Sequence, residues 1–109
     1  EDEPSKIVMQ MKELGSVIFG LCFDAGHFNL FSKVPMEQWL QGLKKYIIEL
    51  HIHDNDGTFD SHLPIGDGNI DFKTLFSILK DNNCLYTIEA HTPEDVLKSM
   101  QRLMEFLST

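Results

Sequence analysis

Residues 46–71 read YIIELHIHDNDGTFDSHLPIGDGNID and join an apolar run directly to a segment rich in histidine and aspartate. The run Tyr46–Ile52 is short, apolar and β-branched, which predicts a buried β-strand. Alternate side chains of a strand share a face, so His51 and His53 are expected to point the same way. Imidazole and carboxylate ligands together suit Zn, Mn or Fe better than Ca or Mg. The stretch therefore predicts a metal site at the end of a strand.

The rest of the chain alternates helical and strand patterns. Apolar residues at helical spacing predict four helices. The first covers Pro4–Leu14 and the second begins at Pro35, while the third and fourth follow the N-cap residues Asp71 and Thr92. Short apolar runs predict two more strands, Val17–Phe23 and Cys84–Glu89. We expect a loop between the first of these strands and Pro35. The order α-β-α-β-α-β-α implies right-handed crossovers and a parallel sheet, hence the α/β class.

Ionisable residues gather where the predicted strands end. They are Asp24 and His27, then His51 and His53, then Glu89 and His91. In α/β folds the active site forms at this end of the sheet. Parallel strands occur in open sheets and in (β/α)8 barrels, but a complete barrel needs ~250 residues. With 109 residues, the chain is expected to form one domain, residues 1–109, that is part of a barrel.

The charge and hydrophobicity of the chain limit the kinds of partner and the location that can be expected. The net charge is -8, and the nine Lys and Arg residues form no basic stripe, so nucleic acid is a disfavoured partner. No apolar stretch approaches the ~20 residues that span a bilayer, and no signal segment opens the chain. We therefore expect a soluble, cytoplasmic protein. Cys22 and Cys84 lie in apolar runs, where a thiol behaves as a small hydrophobe rather than as a disulfide partner or metal ligand.

Several short motifs follow one another in a fixed order: Asp24-x-x-His27, His51-x-x-Asp54, Asp60-x-His62, Gly66-x-Gly68 and Glu89. This ordered set resembles the C-terminal half of xylose isomerase-like TIM barrels, over about residues 4–89. That family contains sugar and sugar-phosphate isomerases and epimerases, and also the endonuclease IV type of apurinic/apyrimidinic (AP) endonuclease, AP endonuclease family 2. The resemblance implies a (β/α)8 barrel of which this chain supplies the C-terminal part.

The resemblance also implies roles for individual residues. Asp24, His51 and Glu89 match three ligands of the shared divalent metal, for which Mn or Zn is expected first and Mg, Co or Fe are alternatives. His27 matches a histidine that binds substrate in epimerases or an additional metal in nucleases. Asp60 and His62 match a pair that holds a further zinc in nucleases and shapes the substrate pocket in isomerases. The shared fourth ligand, a glutamate on the preceding strand, is expected to lie before the first residue of this chain.

The residues themselves leave some of these roles open. Glu89 could form an ion pair instead of binding a metal, and Asp24 could simply begin a loop. His51 is the strongest ligand candidate. His53 is interpreted as a substrate contact or as a structural histidine. Four further residues are expected to have no part in the site: Asp54 and Asp56 in a solvated turn, Asp67 as a turn former, and His91 at the surface.

The leading hypothesis is a metal-dependent sugar or sugar-phosphate isomerase or epimerase. Glu89 would transfer the proton as a catalytic acid/base, while His27 and His62 would bind substrate hydroxyls. The alternative is metal-assisted cleavage of DNA at abasic sites, which Asp60 and His62 favour and the acidic charge opposes. A third hypothesis is a non-catalytic fragment: three strands leave two open edges, which favours a homo-oligomer, and the isolated chain would be inactive.

Overall fold

The computed structural model describes residues 4–14 and 20–108 of the chain. Within them, the helices are α1 (Pro4–Leu14), α2 (Ala25–Phe31), α3 (Met36–Leu43), α4 (Phe72–Leu79) and α5 (Pro93–Leu107). The strands are β1 (Leu21–Asp24), β2 (Ile47–Ile52) and β3 (Leu85–Ile88), and a 3-10 turn over Lys44–Tyr46 leads into β2. None of the described helices is long and apolar enough to cross a membrane.

The three strands form one parallel sheet in the order β1-β2-β3. In the register, Asp24 pairs with His51 of β2, and His51 pairs with Thr87 of β3. Each strand is followed by helical structure before the next begins, which confirms the predicted parallel α/β arrangement. Because the strands are parallel, their carboxyl ends lie together at one edge of the sheet.

The sheet has one apolar and one polar face. Phe23, Leu50 and Ile52 are buried on the apolar face and join a single core with residues of α3 and α4: Trp39, Leu40, Leu43, Phe72, Leu75, Phe76 and Leu79. The opposite face, set by the alternation of side chains, carries Cys22, Asp24, Glu49, His51 and Thr87. The strands therefore hold the core on one side and present ionisable groups on the other.

The expected helix starts at Asp71 and Thr92 are confirmed. A side-chain oxygen of Asp71 accepts a hydrogen bond from the Thr74 amide at 3.1 Å, and the Thr92 hydroxyl accepts one from the Asp95 amide at 3.1 Å. These bonds satisfy donors that the first turn of a helix leaves free. The predicted helix over Pro4–Leu14 is also observed with those bounds.

The strand boundaries differ slightly from the prediction. The predicted strand over Val17–Phe23 is observed as Leu21–Asp24, and residues 15–19 lie outside the described residues. The third strand is Leu85–Ile88 rather than Cys84–Glu89. Both cysteines are free. Cys84 packs against the core as expected, whereas the interpretation of Cys22 as a small hydrophobe is wrong, because Cys22 is exposed on the polar face.

The expected loop after β1 is wrong, because α2 occupies Ala25–Phe31. Asp24 caps this helix, its Oδ1 accepting a hydrogen bond from the His27 amide at 2.8 Å. The sequence Asp-x-x-His was interpreted only as a ligand motif, although Asp is also a favoured N-cap. Seven residues are too few for a clear helical repeat of apolar positions, and α2 depends on its cap and on its packing against β1 and β2.

Candidate active site and metal centre

Three predicted ligands meet at the carboxyl ends of neighbouring strands. Asp24 ends β1, His51 lies in β2, and Glu89 follows β3 with its amide donating to the Ile52 carbonyl oxygen at 3.0 Å. The Nδ1 atom of His51 lies 3.7 Å from Asp24 Oδ2 and 3.7 Å from Glu89 Oε2. Bonds of ~2.1 Å to one ion would bring such donor atoms to roughly 3–3.5 Å of each other. The two distances from His51 are slightly longer than this range, and Asp24 and Glu89 form a set of donor atoms that could hold a cation with the neighbouring His53.

His53 belongs to the same group, which we call the strand-end group: Asp24, His51, His53 and Glu89. His53 is 1% exposed, and its Nε2 lies 2.7 Å from Asp24 Oδ1 and 3.5 Å from Glu89 Oε1. Gly26 makes room for this ring, since a Cβ there would lie 2.0 Å from His53 Cε1. The ring is thus fixed between α2 and β2.

The charges of Asp24 and His53 support each other. Burial raises the pKa of Asp24, but hydrogen bonds from His53 and from the His27 amide outweigh it, and the pKa lies below its ordinary value. Burial lowers the pKa of His53, yet the hydrogen bond and charge of Asp24, with the charges of Glu89 and Asp60, raise it above its ordinary value. These groups favour the protonated form of His53, whose charge offsets part of that of the surrounding carboxylates.

A second set of side chains, the loop group, consists of His27, Asp60 and His62. His27 Nε2 lies 3.1 Å from Asp60 Oδ2, and His62 Nε2 lies 3.2 Å from Asp60 Oδ1. Burial raises the pKa of Asp60, but the hydrogen bond with His27 and the charges of the nearby histidines lower it by more. The pKa of Asp60 therefore lies below its ordinary value. The His53 ring stacks on His62 with centroids 4.0 Å apart.

His53 connects the two groups. Its Nδ1 lies 3.7 Å from Asp60 Oδ1 and has no hydrogen-bond partner among the described residues. His53 and the loop group together form a set of residues whose donor atoms could hold a cation. A buried polar nitrogen without a partner is costly, and a ligand on the loop-group side would satisfy it.

The interpretation of Asp54 as a solvated turn former is wrong. Asp54 is 0% exposed. Its Oδ2 accepts hydrogen bonds from the amides of Gly66 and Gly68 at 2.9 and 3.0 Å, and its Oδ1 from those of Asn55 and Ile70 at 2.9 and 3.2 Å. One carboxylate therefore fastens the returning end of the loop to its beginning.

Two features explain why the sequence alone does not predict that Asp54 closes the loop. Three of the four partners of Asp54 lie 12, 14 and 16 residues away, beyond any local turn rule. Gly68 must lack a side chain, since a Cβ would lie 2.2 Å from the Asn55 carbonyl oxygen. The Gly66-x-Gly68 motif thus supplies two of the amide donors that the Asp54 carboxylate binds.

Asn55 is a site residue that the sequence analysis missed. It is buried, its Nδ2 donates to the Gly26 carbonyl oxygen at 2.9 Å, and its Oδ1 accepts from Asn29 Nδ2 at 2.7 Å. These bonds tie the loop to α2, which carries His27. An asparagine beside Asp54 gives no signal in the sequence that separates this role from ordinary turn formation.

The remaining residues mostly meet the expectations. Asp56 is exposed and accepts a hydrogen bond from the Thr58 amide at 3.0 Å, which confirms a turn, and His91 is exposed as predicted. Asp67 lies in a turn, its amide donating to the Pro64 carbonyl oxygen at 3.0 Å. It also binds Lys98 Nζ at 3.1 Å and Arg102 Nη1 at 2.7 Å, which holds the loop against α5.

Glu49 is a second residue that the sequence analysis missed. Its Oε2 lies 3.0 Å from His51 Nε2 and accepts a hydrogen bond from Thr87 Oγ1 at 3.0 Å. The signal was present in the alternation of the strand, since Glu49 and His51 are two residues apart and share a face. Cys22 Sγ is also close to Glu49 and His51. Burial, and then the neighbouring carboxylates of Glu49, Asp24 and Glu89, raise the pKa of the Cys22 thiol.

Comparison with known proteins gives consistent results. A family model described as xylose isomerase-like TIM barrel matches residues 4–108. The uncharacterized protein MJ1311 of Methanocaldococcus jannaschii is 36% identical over 108 residues, which cover 95% of this chain and 36% of that protein. The uncharacterized protein y4fM of Sinorhizobium fredii is 32% identical over 76 residues, covering 70% of this chain and 24% of that protein.

A solved structure shows the same arrangement. The crystal structure of a D-tagatose 3-epimerase-like protein superposes with a TM-score of 0.82 at 34% sequence identity. The match covers 96% of this chain and 40% of that one. The chain therefore spans well under half of the proteins that it resembles, and its three strands correspond to a part of their fold.

Proposed function

Because the chain belongs to the xylose isomerase-like TIM barrel family, we propose that it forms one wall of a divalent-metal-dependent sugar or sugar-phosphate isomerase or epimerase. The fold is of the sugar isomerase/epimerase type. The observation that carries the proposal is the meeting of Asp24, His51 and Glu89, with His51 Nδ1 3.7 Å from an oxygen of each carboxylate. The likeness to a D-tagatose 3-epimerase-like protein supports the same class of reaction.

The donor set fits a divalent cation. Asp24 and Glu89 are partly buried carboxylates that converge on one imidazole, a costly arrangement unless a cation or protons balance the charge. Two carboxylates and an imidazole suit Mn or Zn first, with Mg, Co or Fe as alternatives. When bound, the ion would hold the carbonyl and neighbouring hydroxyl oxygens of the substrate and lower the cost of removing a proton between them.

The chain's own residues then take distinct roles in this proposal. Glu89, beside the cation, is the acid/base that moves the proton on one side of the substrate. His27 and His62 lie beyond the strand ends and bind substrate hydroxyls, with His27 also assisting the proton transfer. The unpartnered Nδ1 of His53 is the atom through which that ring would meet a hydroxyl group.

Solvent-deuterium exchange tests this function in a protein that carries the chain within a complete barrel. The protein is incubated in D2O with Mn²⁺ or Zn²⁺ and a panel of ketoses and ketose phosphates. We expect deuterium at the carbon next to the carbonyl, loss of exchange with a chelator, and loss of exchange in Glu89→Gln. Absence of exchange with every sugar and sugar phosphate would overturn the proposal.

A second candidate is metal-dependent cleavage of DNA at abasic sites. The observation in its favour is the loop group, in which His27, Asp60 and His62 could hold a further cation together with His53. The net charge of -8 and the lack of Lys or Arg over residues 51–71 oppose it. Incision of an abasic-site duplex, with and without chelator, tests it directly. One ion per complete site favours the isomerase, and two or three favour the nuclease.

A third candidate is a self-associating unit without activity of its own. In the order β1-β2-β3, the first and third strands are edges of the described sheet, and a cleft of about 230 Å³ lies along β1 beside Asp24 and His27. Unpaired edges invite pairing with another copy, so we expect the isolated chain to form homo-oligomers and to be inactive. Light scattering that shows a monomer, combined with metal-dependent turnover, would contradict this candidate.

A further inference from the structure

Glu49 lies on the polar face of the sheet, directly before the strand-end group. Its Oε2 lies 3.0 Å from His51 Nε2, and the same oxygen accepts a hydrogen bond from Thr87 Oγ1 at 3.0 Å. Thr87 is the β3 partner of His51 in the sheet register. The Glu49 carboxylate is therefore held by a residue that the backbone pairing itself places beside His51.

This contact determines which nitrogen of His51 carries the hydrogen. An ionised carboxylate only accepts hydrogen bonds, so a neutral His51 bound to Glu49 carries its hydrogen on Nε2. The lone pair is then on Nδ1, the atom that lies 3.7 Å from both Asp24 Oδ2 and Glu89 Oε2. A histidine that binds a cation needs this unprotonated nitrogen on the side of the ion.

We propose that Glu49 is a positioning residue that fixes the tautomer and ring orientation of His51 for cation binding. The proposal rests on the metal-dependent function proposed above. Asp24 and Glu89 attract the ring hydrogen to Nδ1, where it would block the lone pair. The shorter contact from Glu49 holds the ring hydrogen on Nε2 against this attraction. The hydrogen bond from Thr87 keeps the Glu49 carboxylate in position for that contact.

The same side chains have a competing interpretation, in which Cys22, Glu49 and His51 bind a cation themselves. In that interpretation Cys22 binds the cation directly as a thiolate, whereas in the proposed role of Glu49 it does not touch the ion. A Cys22→Ser variant separates the two interpretations. We expect it to bind Mn²⁺ and Zn²⁺ as the wild type does, and a tenfold loss of affinity would contradict the positioning role.

The test compares Glu49→Ala, Glu49→Gln and Thr87→Val with the wild type, each in a protein that carries the chain within a complete barrel. The isosteric Gln keeps an oxygen that accepts from His51 Nε2 but removes the charge, and Val keeps the shape of Thr without its hydroxyl. Glu105→Gln is the control, since it removes one negative charge at an exposed position of α5. Circular dichroism establishes that each variant is folded.

Two readouts are needed. The first is the dissociation constant for Mn²⁺ and for Zn²⁺, measured by competition with a chromophoric chelator. The second is the long-range ¹H–¹⁵N NMR spectrum of the His51 ring without metal, at a pH of about 9, where an ordinary imidazole is neutral. This spectrum identifies the nitrogen that carries the hydrogen, and it reports on Glu49 even where no metal binds.

For Glu49→Ala we expect metal affinity to fall roughly 10–100-fold and the single Nε2–H form of His51 to give way to a mixture. Glu49→Gln should keep the Nε2–H form with a smaller loss of affinity, Thr87→Val should lie between Gln and wild type, and Glu105→Gln should be unchanged. Wild-type affinity in Glu49→Ala, or an unchanged Nε2–H form, would overturn the inference. A complete barrel with the wild-type sequence of this chain that binds neither ion would instead count against the proposed function, and the NMR result would still decide on Glu49.

Discussion

The two faces of the sheet use the same three strands for opposite purposes. On one face, Phe23, Leu50 and Ile52 are buried in a core with the helices. On the other, residues one position away in the chain bring carboxylates and imidazoles within 4 Å of each other. The first arrangement lowers the free energy of the folded chain, whereas the second places like charges together and depends on protons or a cation. Stability and chemistry are therefore separable by single substitutions.

The largest effect on this comparison is expected from Leu50→Ala. Leu50 is 0% exposed, so its truncation leaves a cavity and lowers the free energy of unfolding by about 2–5 kcal/mol. Urea denaturation measures this loss. Ile48→Ala is the matched control on the same strand, since Ile48 is 55% exposed and should lose less than about 1 kcal/mol. Equal losses at the two positions would contradict burial as the source of the stability that Leu50 provides.

Asp54→Asn tests whether a polar residue can carry stability as well. The Asn side chain has one oxygen where Asp has two, so two of the four backbone amides that donate to Asp54 lose their acceptor and the other two lose its charge. We expect a loss of roughly 2–3 kcal/mol and faster amide hydrogen exchange at Gly66 and Gly68. The control is Asp56→Asn, an exposed aspartate in the same loop, for which stability should change by less than about 0.5 kcal/mol.

Glu89→Gln is expected to separate function from stability on the polar face. Loss of a residue that only hydrogen-bonds a metal ligand lowers metal affinity roughly 10–100-fold. Glu89 is a proposed ligand itself, so affinity for Mn²⁺ or Zn²⁺ should fall by at least as much. The free energy of unfolding without metal should stay within about 0.5 kcal/mol of the wild type, because a surplus negative charge is removed. Chelator competition and urea denaturation measure the two quantities. The exposed Glu105→Gln in α5 should leave metal affinity unchanged and change stability by less than about 0.5 kcal/mol.

The smallest effect is expected at Asp67, where the loop from the polar face meets the helix layer. Hydrogen bonds from Arg102 and Lys98 hold the pKa of Asp67 below its ordinary value. Its pairing therefore stabilises the fold above the unfolded-state pKa of ~3.9, and this contribution is lost as the pH falls through the lower folded-state pKa.

We accordingly expect Asp67→Asn to lose less than about 1 kcal/mol at pH 7, since the pair is partly exposed. The difference from the wild type should vanish in acid. Thermal denaturation from pH 7 to pH 3 measures this. A difference that grows as the pH falls would have the wrong sign for a carboxylate with a lowered pKa.

The sequence predicted those features that depend on near neighbours or on strand polarity. Helix starts at Asp71 and Thr92 follow from bonds that span three residues. The meeting of His51 with Glu89, 38 residues apart, follows from the rule that parallel strands end at one edge. Both predictions use regularities of the backbone that do not require knowledge of individual contacts.

The features that were missed depend on specific contacts between distant segments. The helix α2 is too short for its apolar pattern to be recognised, and the partners of Asp54 lie on the far side of the loop. Asn55 reaches Gly26, which is 29 residues away. Glu49 was the exception, because the alternation of β2 placed it on the face of His51 and would have identified it.

The Asp54 contact has a consequence for how this part of the protein can change over evolution. Because one carboxylate closes the loop at its base, the tip of the loop does little to hold the fold, and Phe59 at the tip is 65% exposed. Substitutions there avoid the stability cost of core changes. The residues between Asp54 and Gly66 can therefore change with little effect on the stability of the fold, as long as the contact at the base of the loop is kept.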